Sequence, residues 1–132
     1  MFDFADRPTP LARRAAIAVL GVRVAYGAGL LVAPSRLTGA WLGPTAGDGP
    51  VQVPVRGLGA RELVLHGAAL ADAVRGRPLR RWLAASIAGD LTDIAATAAG
   101  RDDLPAGAAP KTAAVAGLSA LLSAAVALAV DR

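Results

Sequence analysis

Apolar residues run along this chain in four long segments, at about 15–33, 55–74, 82–99 and 112–130, separated by stretches where Pro, Gly and charged residues gather. Each segment is close to the ~20 residues that carry a helix across a bilayer. Period-2 alternation is absent, and Ala-rich segments of this length predict helices, not strands. The expected fold class is all-α: one domain, residues 1–132, built as a four-transmembrane-helix bundle. Pro34 closes the first segment, Gly100 offers a C-terminal stop for the third, and Pro110 precedes the fourth. The stretch 34–54, rich in Gly and Pro and carrying Trp41, reads as a long loop.

The connections set an orientation. Positive charge flanking a span is retained on the cytoplasmic side. Arg13 and Arg14 put the N-terminus inside, and four spans then put the 75–81 connection, with its four Arg, and the C-terminus inside too. The 34–54 and 101–111 connections, the latter with Asp102 and Asp103, fall outside. Trp82 is expected at the inner interface and Trp41 at the outer one. Residues 1–10 carry Asp3, Asp6 and Arg7 with two prolines and lack the basic n-region and cleavage site of a signal peptide. The first apolar segment is therefore expected to be retained, and the location expected is a bacterial plasma membrane.

Composition supports this and names its rival. Hydrophobic residues make up 55% and charged residues 18% of the chain, against roughly 25% charged in an ordinary soluble domain. Mean hydropathy is +0.49. Much of the apolar content is Ala and Gly, however, so a soluble Ala-rich four-helix bundle is the competing architecture; it would expose the charges that a membrane bundle keeps inside. The net charge is +4 and Lys111 is the single Lys. The Arg residues sit at the ends of apolar segments or within them, with almost no aromatics interleaved, which speaks against a nucleic-acid partner. The absence of Cys excludes disulfides, iron–sulfur clusters and thiolate zinc sites.

The charges inside the segments carry the chemistry. Arg23 lies near the middle of the first, Arg61, Glu62 and His66 near the middle of the second, and Asp90 and Asp93 near the middle of the third. A charge at the centre of a span costs about 2.5–3.5 kcal/mol on insertion scales, so these groups must pair or face water. At about 100° per residue, Ser86, Asp90, Asp93 and Thr97 form one narrow stripe. Arg61, Glu62, His66 and Asp72 share an arc of about 140°, and Arg23 shares a face with Tyr26 at i, i+3. Three helices thus present polar stripes at one depth. Arg61 and Glu62, as neighbours, are expected to find partners on other helices. The fourth segment offers Ala116, Ala120 and Ala124 with Ser119 and Ser123, a small-residue pattern for close helix packing, and Gly57, Gly59 and Gly67 are candidates for the same role.

The run Arg56-Gly-Leu-Gly-Ala-Arg-Glu-Leu-Val-Leu-His-Gly67, followed by Gly89-Asp90 and Asp93, resembles small four-helix integral membrane proteins of unknown function from actinobacteria. The resemblance covers about two thirds of the chain. It implies a membrane location, singles out Arg61, Glu62, Asp90 and Asp93, and brings no activity with it. Where such proteins often carry Gly, this chain has His66.

Three functions fit these residues. In the leading one, a small amphipathic molecule or lipid binds at the bundle midplane, its head meeting Arg23, Tyr26, Arg61, Ser86, Thr97 and the acids. In the second, a membrane-embedded isomerase or cyclase uses Asp90 or Asp93 as acid or base, with Glu62 or His66 as its partner and Arg61 as electrostatic stabiliser. In the third, the chain is an accessory subunit docking its fourth helix on a larger membrane partner or on further copies of itself. A structural ion network that fixes helix register is the bland counterpart of all three. No metal is expected: the spacings of Glu62 with His66 and Asp90 with Asp93 suit carboxylate sites, but two Arg beside them would repel a cation. No cofactor is expected either.

Overall fold

The computed structural model of the protein describes residues 9–130. Asp3, Asp6 and Arg7, on which the reading of the N-terminal stretch rests, lie outside them. Five α-helices follow one another: α1 (Pro10–Val32), α2 (Pro34–Leu42), α3 (Gly49–Val74), α4 (Arg80–Ala99) and α5 (Ala108–Val130). Among the described residues there is no strand. Thr9 caps α1, its Oγ1 accepting from the Ala12 N–H at 3.2 Å, with Pro10 in the first turn. Pro34 and Pro50 likewise stand in the first turns of α2 and α3.

The prolines explain the main departure from the expected boundaries. The stretch 34–54 is not a loop: it folds as α2, a short 3₁₀ turn at Gly43–Gly47, and the first turns of α3, which begins six residues before the expected 55. Proline lacks an N–H that the first helical turn would leave unpaired anyway, so it starts helices as readily as it ends them. Pro54 sits inside α3. The other long helices match the expected segments, with α1 and α5 starting a turn or more earlier.

The helices associate mainly as two pairs, α1 with α3 and α4 with α5, while α3 and α4 touch only sparsely. The α1–α3 pair is antiparallel and closest at one pair of glycines. A Cβ on Gly27 would lie 2.7 Å from the Leu63 backbone N, and one on Gly59 would lie 2.8 Å from Leu30 Cβ and 2.9 Å from the Gly27 carbonyl. Of the glycines named from the sequence, Gly59 makes this approach, whereas Gly57 and Gly67 face open space. Each helix of the pair also caps the other. Arg13 of α1 donates to the carbonyls of Ala73 (2.9 Å) and Val74 at the end of α3, and Arg56 of α3 donates to the Leu31 carbonyl (2.7 Å) at the end of α1. Helix C-termini expose unpaired carbonyls and carry partial negative charge, so an arginine there satisfies both.

An apolar cluster of Ala12, Ala16, Leu20, Ala69, Ala73, Leu79, Leu83, Val126 and Val130 packs the end of the bundle near the α3–α4 turn. Above it the interior turns polar: Glu62, His66, Ser86, Asp90, Thr97 and Ser123 are buried. Large apolar side chains also stand on the outside of the helices. Leu11, Val32, Val64, Leu121 and Leu128 are each about 70% exposed or more. Two helices, α1 and α5, are long and apolar enough to cross a membrane by length and composition.

Candidate functional site

Close approach at Gly27 and Gly59 puts the residues one turn away opposite each other. Arg23 lies a turn before Gly27 and Glu62 a turn after Gly59, and because the helices run antiparallel these two meet: Arg23 Nη2 stands 3.1 Å from Glu62 Oε2. The other guanidinium nitrogen, Nη1, donates to Asp90 of α4 at 2.8 and 3.1 Å and to the Ser119 hydroxyl of α5. One arginine therefore ties four helices together. Its side chain is 14% exposed, and those of Glu62 and Asp90 only 4% and 5%. A buried charge is tolerable only when paired, and the two carboxylates share this one cation.

A chain of polar groups continues from Glu62. His66 Nδ1 lies 2.9 Å from the Glu62 carbonyl and 3.2 Å from its carboxylate, and Nε2 lies 3.0 Å from Ser86 Oγ. A carbonyl can only accept, so Nδ1 carries the proton, and in the neutral ring Ser86 donates to Nε2. Asp90, Arg23, Glu62, His66 and Ser86 form one contiguous interior group of polar side chains.

Beside this network lies a cleft of about 520 Å³. Arg23, Glu62, Asp90 and Asp93 line it, together with the apolar and aromatic side chains of Tyr26, Leu37, Trp41, Leu58 and Val115. Trp41 is held over it from α2, its Nε1–H donating to Thr97 Oγ1 of α4 at 3.2 Å. Val22 of α1 and Val115 of α5, about 70% exposed, belong to its lining as well. Glu62 Oε2, although close to both Arg23 and His66, has no aligned hydrogen-bond donor, and neither does Arg23 Nε have an acceptor.

The residues named from the sequence separate into two groups. Arg23, Tyr26, Glu62, Asp90 and Asp93 line the cleft. His66 and Ser86 stand behind Glu62, and Thr97 reaches the cleft only through Trp41. Arg61 departs from its expected central place. Its side chain is 48% exposed, and its nearest carboxylates are distant, Glu62 at 3.7 Å and Asp93 at 3.9 Å. Successive helical residues point about 100° apart, so with Glu62 aimed at Arg23, Arg61 is turned to the rim beside Gly89. It does reach back to its neighbour Glu62, a contact the sequence reading set aside. Missing from that reading were Trp41, Leu37 and Lys111 as lining residues and Ser119 as a partner of Arg23. The short α2 brings Leu37 and Trp41 to the site; Pro34 at its start and Pro44 just after it make the segment read as loop. Among the described residues no group of three or more His, Asp and Glu is placed to hold a metal ion.

At the end of the bundle near the α3–α4 turn a second polar group forms. Asp72 accepts from Trp82 Nε1 at 2.8 Å and from Arg77 at 3.4 Å, while Arg81 lies 4.9 Å from the Trp82 ring centre. Arg80 and Arg81 stand at the same edge and make it basic. On α5, Ser123 is buried and Ala116, Ser119, Ala120 and Ala124 are half-buried. The small-residue stripe thus faces the bundle, and the outward side of α5 presents Val115, Leu118, Leu121 and Leu128. Comparison with protein-family models, with curated proteins and with solved structures finds no match to this chain.

Proposed function

We propose that the chain is a plasma-membrane protein in which α1, α3, α4 and α5 all span the bilayer, and that it binds one small amphipathic molecule or lipid in the cleft at the midplane. The observation that carries this reading is the cleft itself, an apolar chamber with an ionic floor. At about 520 Å³ it is within the range of ligand pockets, ~300–1,000 Å³, and such pockets are mostly apolar with a few convergent polar groups. The placement of Glu62 and Asp90 inside and of many leucines and valines outside supports the membrane setting, being an arrangement that lipid favours and water opposes. In that setting α3 and α4, whose charges are too many for isolated insertion, are carried by the pairing of Glu62 and Asp90 with Arg23. The exposed Val22 and Val115 of the cleft lining then face acyl chains, which gives an amphipathic molecule a route in from the bilayer.

Organic extraction of the purified protein, followed by mass spectrometry, tests this. Wild type should release one molecule in near-stoichiometric amount. Ala116→Phe, which adds bulk to the cleft wall without altering a charge, should release little of it. Equal amounts from both, in proportion to bulk lipid, would reject the cleft as a binding site.

A further inference from the structure

The charges are unevenly spread around the cleft. Arg23 and Arg61 stand among Glu62, Asp90 and Asp93, one negative charge over when these five are ionised, and Lys111, the third cation of the cleft, lies further along α5. Arg23 is engaged by both Glu62 and Asp90. Arg61 is turned to the rim and approaches Asp93 only to 3.9 Å. Asp93 lines the cleft, with 33% of its side chain exposed. Beside it is Glu62 Oε2, on a side chain 4% exposed and with no hydrogen-bond donor. A buried carboxylate oxygen without a donor costs free energy until something supplies one.

Two aromatic residues, Tyr26 and Trp41, line the same cleft. The bond from its indole N–H to Thr97 anchors Trp41 there. Aromatic faces attract cations, and the attraction grows to about 2 kcal/mol where water is excluded. Lys111, the remaining cationic residue of the wall, is eight residues before Ser119 on α5, about 12 Å away along the helix axis. Positive charge is therefore committed at Arg23, turned to the rim at Arg61, 3.9 Å from Asp93, and displaced along α5 at Lys111, while the other side chains at this part of the floor are acidic and aromatic.

We propose that the ligand's head is a single organic cation, a protonated amine or quaternary ammonium on an apolar body, held by Asp93 and the aromatic faces of Tyr26 and Trp41, with an N–H head also donating to Glu62. This rests on the cleft-binding reading above and specifies its head group. A divalent metal would need several ligands at short range; one delocalised positive charge needs a single counter-ion and an apolar, aromatic surround.

The test uses the full-length protein in nanodiscs of zwitterionic lipid and three probes of equal chain length: decyltrimethylammonium, decanol and decyl sulfate. Trp41 emission reports occupancy, and Trp82, fifteen residues before Thr97 on α4, contributes a constant background. The cation should change Trp41 emission saturably, and the alcohol and the sulfate at equal mole fraction should not. Asp93→Asn should weaken the cation by roughly tenfold, about 1.4 kcal/mol. Lys111→Glu, at the exposed end of the wall, should tighten it, which keeps a charge readout if the first variant does not fold. Saturation by decanol at equal strength, or a cation response indifferent to both substitutions, would overturn the head-group assignment and leave cleft binding standing. No response to any probe would also overturn it; the cleft reading then fails only if organic extraction of wild type releases nothing either.

Discussion

Arg23 is the single residue that joins α1, α3, α4 and α5. A lone arginine in the middle of an apolar segment stands out in a sequence, and so do Glu62, Asp90 and Asp93, because lipid makes each of them costly. Periodicity was enough to align their stripes. It could not decide between neighbours: Arg61 and Glu62 differ by about 100°, and only the Gly27–Gly59 contact settles which one faces Arg23. The consequence is measurable. Arg23→Met strands two buried carboxylates and should destabilise the bundle by about 3–5 kcal/mol, the cost of breaking a buried ion pair from one side. Arg61→Met removes a half-exposed side chain with contacts of 3.7 and 3.9 Å and should cost less than about 1 kcal/mol. Unfolding by SDS titration from lipid micelles reads both. Equal losses would mean that Arg61 shares the interior role.

At the scale of elements, the antiparallel α1–α3 pair frames the site. Its glycine contact sets the depth at which Arg23 meets Glu62, and its reciprocal Arg13 and Arg56 caps fix the ends. Gly59→Val should separate the helices, since even a Cβ would sit 2.9 Å from a backbone carbonyl, and the loss should exceed the 1–3 kcal/mol of ordinary overpacking. Gly57→Val, in open space, should leave thermal stability in detergent nearly unchanged. Comparable melting of the two variants would argue against the glycine contact. The sequence makes Gly59 a candidate among three but does not mark Gly27, because nothing in the spacing of Gly21, Gly27 and Gly29 along α1 says which of them meets a neighbour. The 34–54 stretch differs from expectation for a similar reason: Pro34, Pro44 and Pro50, which begin helical segments, and Pro54, which lies inside α3, all look like loop punctuation in the sequence.

At the scale of the whole molecule, the all-α fold and its four long helices were legible from the apolar segments. Their pairing was not, since nothing in the hydrophobic pattern of α3 and α4 says that each packs chiefly on another partner. The number of spans decides where the ion network lies. If α1, α3, α4 and α5 all cross, Arg23, Glu62 and Asp90 are at the midplane and the cleft opens to lipid. If only α1 and α5 cross, everything from α2 to α4 is on the outer side. The chain has no Cys, so single cysteines can be read without background. The most direct measurement is labelling of Gly47→Cys and Pro78→Cys, both at exposed positions, with a membrane-impermeant maleimide on intact spheroplasts and on inverted vesicles. The account predicts opposite sides: position 47 labelled from outside and position 78 only from the cytoplasmic face. Labelling of both positions from the outside would contradict it.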